Sequence, residues 1–326
     1  MRIQIAFSGL IPALKYGGTQ RVIWSLGKEL AKKGHKISFL AAPGSHCDFA
    51  ELTAIKPGIP LEEQLDASAD IVHFQAKTSR PVERPHVVTI HGNIGDSEPL
   101  GLNSIFVSRD HARRHGSDSF VYNGLDWDDY APPRLDAPRD AFHFLGKAAW
   151  RVKNVKGAID IAKTIPGGKL RVLGGSRLNL KMGFRLTLTP RARFYGMVGD
   201  ETKQKVMQHS RGLIFPVRWP EPFGLAITES LYFGAPVYGT PYGSLPELVP
   251  PEVGFLSSSA KELAARIRGA DYNPRVCHEY ARDLFNSRAM AEAYLKCYER
   301  VLNGEPLNPT SPRAQRPRDW PLPWYK

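Results

Sequence analysis

The chain has 326 residues and a formal charge of +12 at neutral pH, from 44 Lys and Arg against 32 Asp and Glu. That length admits two domains of ordinary size, and no run of about twenty apolar residues calls for a membrane span. Three scattered cysteines, Cys47, Cys277 and Cys297, have no metal-ligand spacing and fit a reducing cytosol. The excess charge calls for an anionic counterpart: nucleic acid, an anionic membrane surface or a polyphosphate ligand. No nucleic-acid recognition motif is visible, and the aromatics are not interleaved with the basic runs.

In chain order, the opening residues are too short an apolar run for a signal peptide and read as a strand over 2–7. A loop with paired glycines, Gly17-Gly18, leads to a helix over about 20–33 that Thr19 could cap, with Val22, Leu26 and Leu30 on one face. Gly34 ends it and a strand follows over 37–41. Strand, glycine loop, helix and strand open a Rossmann-like half. No Gly-x-Gly-x-x-Gly with a trailing acid is present, which argues against a dinucleotide dehydrogenase. Residues 42–69 read as short helices or irregular connections, and strands follow over 70–74, 86–90 and 104–107. The second of these ends at His91-Gly92, where a side chain is aimed at the carboxyl end of the sheet, whereas His73 reads as a hydrogen-bonded structural residue. A basic helix opens at 108–115, and Asp126-Trp127-Asp128 reads as a turn rather than a metal motif.

A linker over 132–138 precedes a second series of strands at 141–145, 169–173, 191–195 and 212–215. Bases cluster between the first of these and its helix: Lys147, Arg151, Lys153 and Lys156. Cations at a helix N-terminus oppose its dipole, so an anion nearby accounts for them better than a solvated face. Helices are expected over 201–210, 260–269 and 288–303, then a Pro-, Arg- and Trp-rich tail over 304–326.

The organising stretch is 215–248, where Glu221 stands in a proline-bounded loop and Glu229 lies eight residues on, inside a helix over 225–232. The N–H groups of Phe223, Gly224 and Leu225 fall at the helix start, a ready anion site. Phosphate donors beside two carboxylates suit a nucleotide-sugar. The ordered set Glu221-Pro222-Phe223-Gly224-Leu225, Glu229, Gly234-Ala235-Pro236-Val237 and Gly243-Ser244-Leu245-Pro246-Glu247-Leu248-Val249 resembles the signature of retaining glycosyltransferases of family 4, which have the GT-B fold. Tyr16-Gly17-Gly18-Thr19-Gln20-Arg21-Val22 looks like the glycine-rich loop of that family. The resemblance spans about residues 2–303.

It implies an α/β protein of two Rossmann-like domains facing across a cleft. An acceptor domain would span 1–135, a donor domain 136–285, a crossover helix back to the first domain 286–303, and a tail 304–326. The implied reaction moves a sugar from a nucleoside diphosphate sugar to an acceptor hydroxyl with retention, needing no cofactor and no metal. Glu221 would position the sugar, with a front-face or a covalent route open, and His91 would contact it. Lys156, with Lys147 or Arg151, would hold the diphosphate. Glu229 would hold the ribose, and Gly196, Met197 and Val198 would lie against the base. Sugar, base and acceptor stay open, and glycan, lipid-linked and natural-product acceptors are all compatible. A nucleotide-sugar 2-epimerase on the same fold is the rival. The basic helix and the aromatic tail, with Arg313, Arg316, Arg318, Trp320, Trp324 and Tyr325, point to a cytoplasmic protein held peripherally on an anionic membrane surface.

Overall fold

Runs of β-branched and aromatic residues build two six-stranded, all-parallel sheets, one in each half of the chain. The computed structural model describes residues 1–13, 17–95, 98–180, 182–315 and 320–326. Lys15 and Tyr16 of the expected glycine loop, and Arg316 and Arg318 of the tail, lie outside the described residues. The chain divides into two units: Met1–Trp127 with Phe285–Pro317, and Asp128–Leu284 with Arg318–Lys326.

Unit 1 contains β1 (Arg2–Phe7), α1 (Gly18–Lys32), β2 (Lys36–Ala41), β3 (Glu51–Ala54), β4 (Ile71–Phe74), β5 (His86–Ile90), β6 (Ser104–Phe106) and α2 (Arg109–Arg113). The strands lie in the order β3-β2-β1-β4-β5-β6. Every residue of β4 and all but the first of β5 are buried, as parallel strands covered on both faces require. The Thr19 cap is not used: Gly17 is the N-cap of α1 and Thr19 lies inside the helix. The stretch expected to be irregular contributes the edge strand β3, which pairs with β2 through an exposed, polar register that carries little sequence signal.

Unit 2 contains β7 (Ala141–Leu145), α3 (Val155–Thr164), β8 (Leu170–Leu173), the short strands β9 (Leu178–Asn179) and β10 (Arg185–Leu186), β11 (Ala192–Phe194), α4 (Asp200–Gln208) and β12 (Ser210–Phe215). It continues through α5 (Leu225–Tyr232), β13 (Val237–Gly239), α6 (Leu245–Leu248), β14 (Gly254–Leu256), α7 (Ala260–Gly269) and α8 (Pro274–Leu284). Its large sheet runs β11-β8-β7-β12-β13-β14, and β9 and β10 form a separate hairpin. Without the hairpin this is the same order as in unit 1, the 3-2-1-4-5-6 arrangement of a Rossmann fold. The hairpin, α6, α8 and β14 were not evident from periodicity.

The chain then returns to unit 1 as α9 (Ser287–Leu302). Two buried tyrosines fix it there. Tyr298 Oη hydrogen-bonds His73 Nδ1 at 2.8 Å, His73 Nε2 bonds Thr89 Oγ1 at 2.7 Å, and Thr89 Oγ1 bonds Tyr294 Oη at 2.9 Å. Burial pushes His73 down to about 3, so this network is neutral. The tail is not a free extended segment. Asn308 is buried and donates to the carbonyls of Leu102 and Ser104. Residues 320–326 lie on unit 2: Leu322 N–H donates to the Arg218 carbonyl at 2.7 Å, and Ser259 forms a bridge with Tyr325.

Candidate functional site

In an open parallel sheet the two strands on either side of the order reversal leave a crevice at their carboxyl ends. In unit 2 those strands are β7 and β12. The segment after β7 holds Gly146, Lys147 and a 3₁₀ turn over Arg151–Lys153. The segment after β12 holds Trp219, Glu221 and the start of α5. Two backbone links tie them together: Arg218 N–H donates to the Val152 carbonyl at 2.6 Å, and Asn154 Nδ2 donates to the Pro216 carbonyl at 2.9 Å.

Glu221 is buried, and its carboxylate is held on one oxygen. Oε2 accepts from Lys153 Nζ at 2.6 Å and from Trp219 Nε1 at 2.7 Å. Lys153 is itself buried, its ammonium 4.7 Å from the Trp219 ring centroid and 5.3 Å from that of Phe215. A buried charge needs such a partner. The loop is closed from behind by Gly243, at φ +66°, where an added Cβ would lie 2.2 Å from the Glu221 nitrogen. Ser244 N–H donates to the Glu221 carbonyl at 2.9 Å, and Ser244 Oγ donates to the Phe223 carbonyl at 2.6 Å. Gly224 is the N-cap of α5 in left-handed backbone, φ 91°, with no side-chain cap, so the helix start is lined by backbone N–H groups.

The bases named from sequence separate into different environments. Asn154 caps α3: its side chain accepts from Gly157 N–H at 3.0 Å while its own backbone is left-handed, φ 54°. Lys156 is the second residue of α3, 68% exposed, and pairs with Asp160 at 2.9 Å. Lys147 Nζ is 5.2 Å from the Trp150 ring, and Arg151 is exposed beside Gly183. Lys153, which was not singled out, is the base brought to Glu221. Its signal was the Asn-x-x-Gly capping pattern at 154–157, which places the residue before the cap outside the helix.

Glu229 is buried inside α5. Oε1 accepts from Tyr130 Oη at 2.7 Å and from Lys203 Nζ, and Lys203 also lies 3.0 Å from Asp200. Tyr130, Lys203 and Trp219 were missed as site residues. Tyr130 and Lys203 sit 99 and 26 residues from Glu229, and no local spacing connects them to it. Gly196 is left-handed, φ 76°, and its carbonyl accepts from Gly174 N–H at 2.8 Å; Met197 is exposed and Val198 half-buried.

In unit 1 the reversal lies between β1 and β4. Gly17 and Gly18 start α1, on the segment that follows β1. His91 follows β5, and its Nε2 donates to Gln75 Oε1 at 2.8 Å. Burial pushes His91 down to about 4, so it is neutral at pH 7 with Nδ1 as acceptor. Gln75 Nε2 is buried without a hydrogen-bond partner. In the Asp126-x-Asp128 stretch, Asp126 pairs with Lys28 at 2.8 Å and Lys32 at 3.3 Å. Among the described residues no cluster of three or more His, Cys, Asp or Glu could hold a metal ion.

Two six-stranded parallel sheets with the same order, and a carboxylate loop at the second reversal, are the features that a comparison can decide. Residues 132–283 match the family model of the Glycosyl transferases group 1. The matched region lies wholly in unit 2 and contains Lys153, Glu221 and Glu229. No curated protein matches the chain. Solved structures share its fold over almost its whole length. AviGT4, a glycosyltransferase involved in avilamycin A biosynthesis, is 22% identical with a TM-score of 0.76, over 93% of this chain and 98% of its own. Sucrose-phosphate synthase from Thermosynechococcus elongatus is 18% identical with a TM-score of 0.70, over 93% and 100%. HepE of Anabaena, in complex with UDP and glucose, is 16% identical with a TM-score of 0.68, over 92% and 99%. The fold is GT-B, with two Rossmann-like domains.

Proposed function

We propose that the protein is a retaining, metal-independent glycosyltransferase that moves a sugar from a nucleoside diphosphate sugar to an acceptor hydroxyl. The observation that carries this reading is the buried Lys153–Glu221 pair beside the uncapped start of α5, at the strand reversal of the region that matches group 1 glycosyltransferases. Glu221, pinned through Oε2, presents Oε1 to the hydroxyls of the donor sugar. Loss of the diphosphate develops negative charge. Lys153, Lys147 or Arg151, and the N–H groups at the start of α5, oppose it with fixed positive charge and dipole. Lys153 thus takes the part first expected of Lys156. Glu229 accepts from the ribose hydroxyls, and the left-handed Gly196 turn lies against the base. His91 and the orphan Gln75 Nε2 of unit 1 supply further donors and acceptors for sugar hydroxyls. The acceptor attacks beside the departing diphosphate, which preserves the anomeric configuration.

Solved proteins of this fold include HepE with UDP-glucose and a glycosyltransferase of lipopolysaccharide biosynthesis, which supports a uridine donor and an envelope glycan among the acceptor classes. Avilamycin A biosynthesis, the setting of AviGT4, supports a natural-product acceptor instead. Peripheral attachment to an anionic membrane remains part of the proposal, with less help from the tail. Trp320 packs edge-to-face on Trp219 at 5.4 Å, and Trp324 packs on the core of unit 2.

The test is incubation with UDP-, GDP- and ADP-sugars with EDTA present, following nucleotide release and the anomeric configuration of any product by NMR. Release from one donor with retained configuration, abolished in Glu221→Gln, is expected. Failure of every donor to bind by calorimetry, inverted product, or strict dependence on added Mn²⁺ or Mg²⁺ overturns the reading.

A further inference from the structure

The β9–β10 hairpin of unit 2 carries none of the residues given a role in the proposed transfer, although Gly183 at its turn lies beside Arg151, and its surface is inverted. Its ladder pairs Leu178 with Leu186 and Asn179 with Arg185, so the two leucines share one face. Leu178, Leu180, Met182, Phe184, Leu186 and Leu188 are all exposed, Phe184 at 75% and Leu188 at 79%. Single exposed apolar residues are ordinary, but six at alternate positions of one hairpin mark an interaction surface. The polar residues do the anchoring. Arg177 donates to the carbonyls of Thr187, Thr189 and Ala192, and Arg185 donates to the Ser176 carbonyl with its guanidinium 5.1 Å from the Phe194 ring. Arginines therefore hold the hairpin to the domain while the apolar row is turned to solvent.

The surroundings of the row identify its partner. Residues 161–199 contain eight Lys or Arg and no Asp or Glu. Two residues beyond Leu188 begins a groove of about 420 Å³, lined by Pro190, Lys169, Arg171, Arg191 and Arg193. Its one acid, Asp140, is paired with Arg171 at 2.6 Å. A second copy of the chain is a poor occupant, because a twofold contact would set this basic segment against itself. An apolar row in a segment where cations outnumber acids matches an anionic bilayer, whose acyl boundary takes the row and whose headgroups take the cations.

We propose that the hairpin is a membrane-docking element, with Leu180, Phe184 and Leu188 entering the interface and the 169–193 groove receiving anionic headgroups. The inference rests on the peripheral membrane attachment included in the proposed function, and its test reads no activity, so its failure is distinguishable from failure of the transfer reaction. The full-length protein is sedimented with vesicles of phosphatidylcholine and phosphatidylglycerol, or of phosphatidylcholine alone, at low and high salt. Binding to the anionic vesicles is expected, weakened by salt. L180S/F184S/L188S, with an unchanged thermal midpoint because the sites are exposed, should bind about tenfold more weakly or worse. As a positional check, F184W should gain emission that brominated lipid quenches. No binding of wild type to anionic vesicles, equal binding by the triple variant, or an unquenched F184W overturns the proposal. So does sedimentation velocity showing a dimer that the triple variant dissociates.

Discussion

The two units share one strand order yet put different chemistry at the carboxyl ends of their strands. In unit 1 the buried polar groups of β4 and β5 are neutral, His73 and Thr89 forming one network with Tyr294 and Tyr298 and His91 contacting Gln75, while a buried carboxylate there, Asp126, is held by Lys28 of α1. In unit 2 the equivalent region carries two buried ion pairs, Lys153–Glu221 and Lys203–Glu229. A neutral network fixes a helix at small desolvation cost. A buried ion pair contributes little to stability for the desolvation it entails, and is weak as a structural device. Its placement at the strand reversal is better explained by a charged ligand. One scaffold, repeated, thus serves as a frame in one unit and as an electrostatic site in the other.

The largest test of that contrast is Lys153→Met. Removing the cation strands a buried carboxylate, and unit 2 should lose about 3–5 kcal/mol. Adding Glu221→Gln should recover most of the loss. Urea unfolding of the single and double variants checks this, and a single-variant loss below about 1 kcal/mol would show that the pair is not electrostatically isolated.

Acid probes the neutral side. In unit 1 burial pushes His73 down to about 3 and His91 down to about 4, from an unfolded value near 6.5. Below that value the unfolded chain binds protons that the native state refuses. Stability therefore falls as pH drops from about 6.5 toward 3, by up to about 1.4 kcal/mol per unit for each histidine. Unfolding midpoints measured over that range should show the slope, and His73→Gln should make it shallower.

A smaller effect is expected from deleting residues 320–326. The deletion removes the Trp320–Trp219 contact and the backbone links to Arg218 and Ser259. Unit 2 should lose about 1–2 kcal/mol, and Trp219 emission should shift to the red. An unchanged spectrum would mean that the tail does not hold Trp219.

The smallest effect belongs to Lys156→Ala. An exposed i,i+4 pair is worth about 0.3–0.5 kcal/mol, and donor affinity by calorimetry should change little. A collapse of donor binding in that variant would return the diphosphate to Lys156 and leave Lys153 as a partner of Glu221 alone.

Much of this was legible in the chain itself. Buried strands announce themselves by local composition, so β1, β5, β7 and α5 lie where periodicity placed them. Gly17-Gly18, His91 and Glu221 could be picked out because each stands where a strand or helix ends, and ends are written in glycine, proline and capping residues, whereas Glu229, inside α5, was picked out by its spacing from Glu221. What the sequence could not supply was partnership. It showed four bases between 147 and 156 but not which one turns inward. That was decided by Asn154 taking the left-handed cap and folding Lys153 onto the end of β12. It showed two glutamates, and only the tertiary structure gave them Trp219, Tyr130 and Lys203. It read the tail as loose because the tail has no periodicity of its own; its order comes from carbonyls and rings on distant segments. Local steric preference determines where strands and helices begin and end, and it acts over a few residues. Charge pairing and desolvation act through space, so the pairing of each buried charge was decided only when the sheets brought distant segments together.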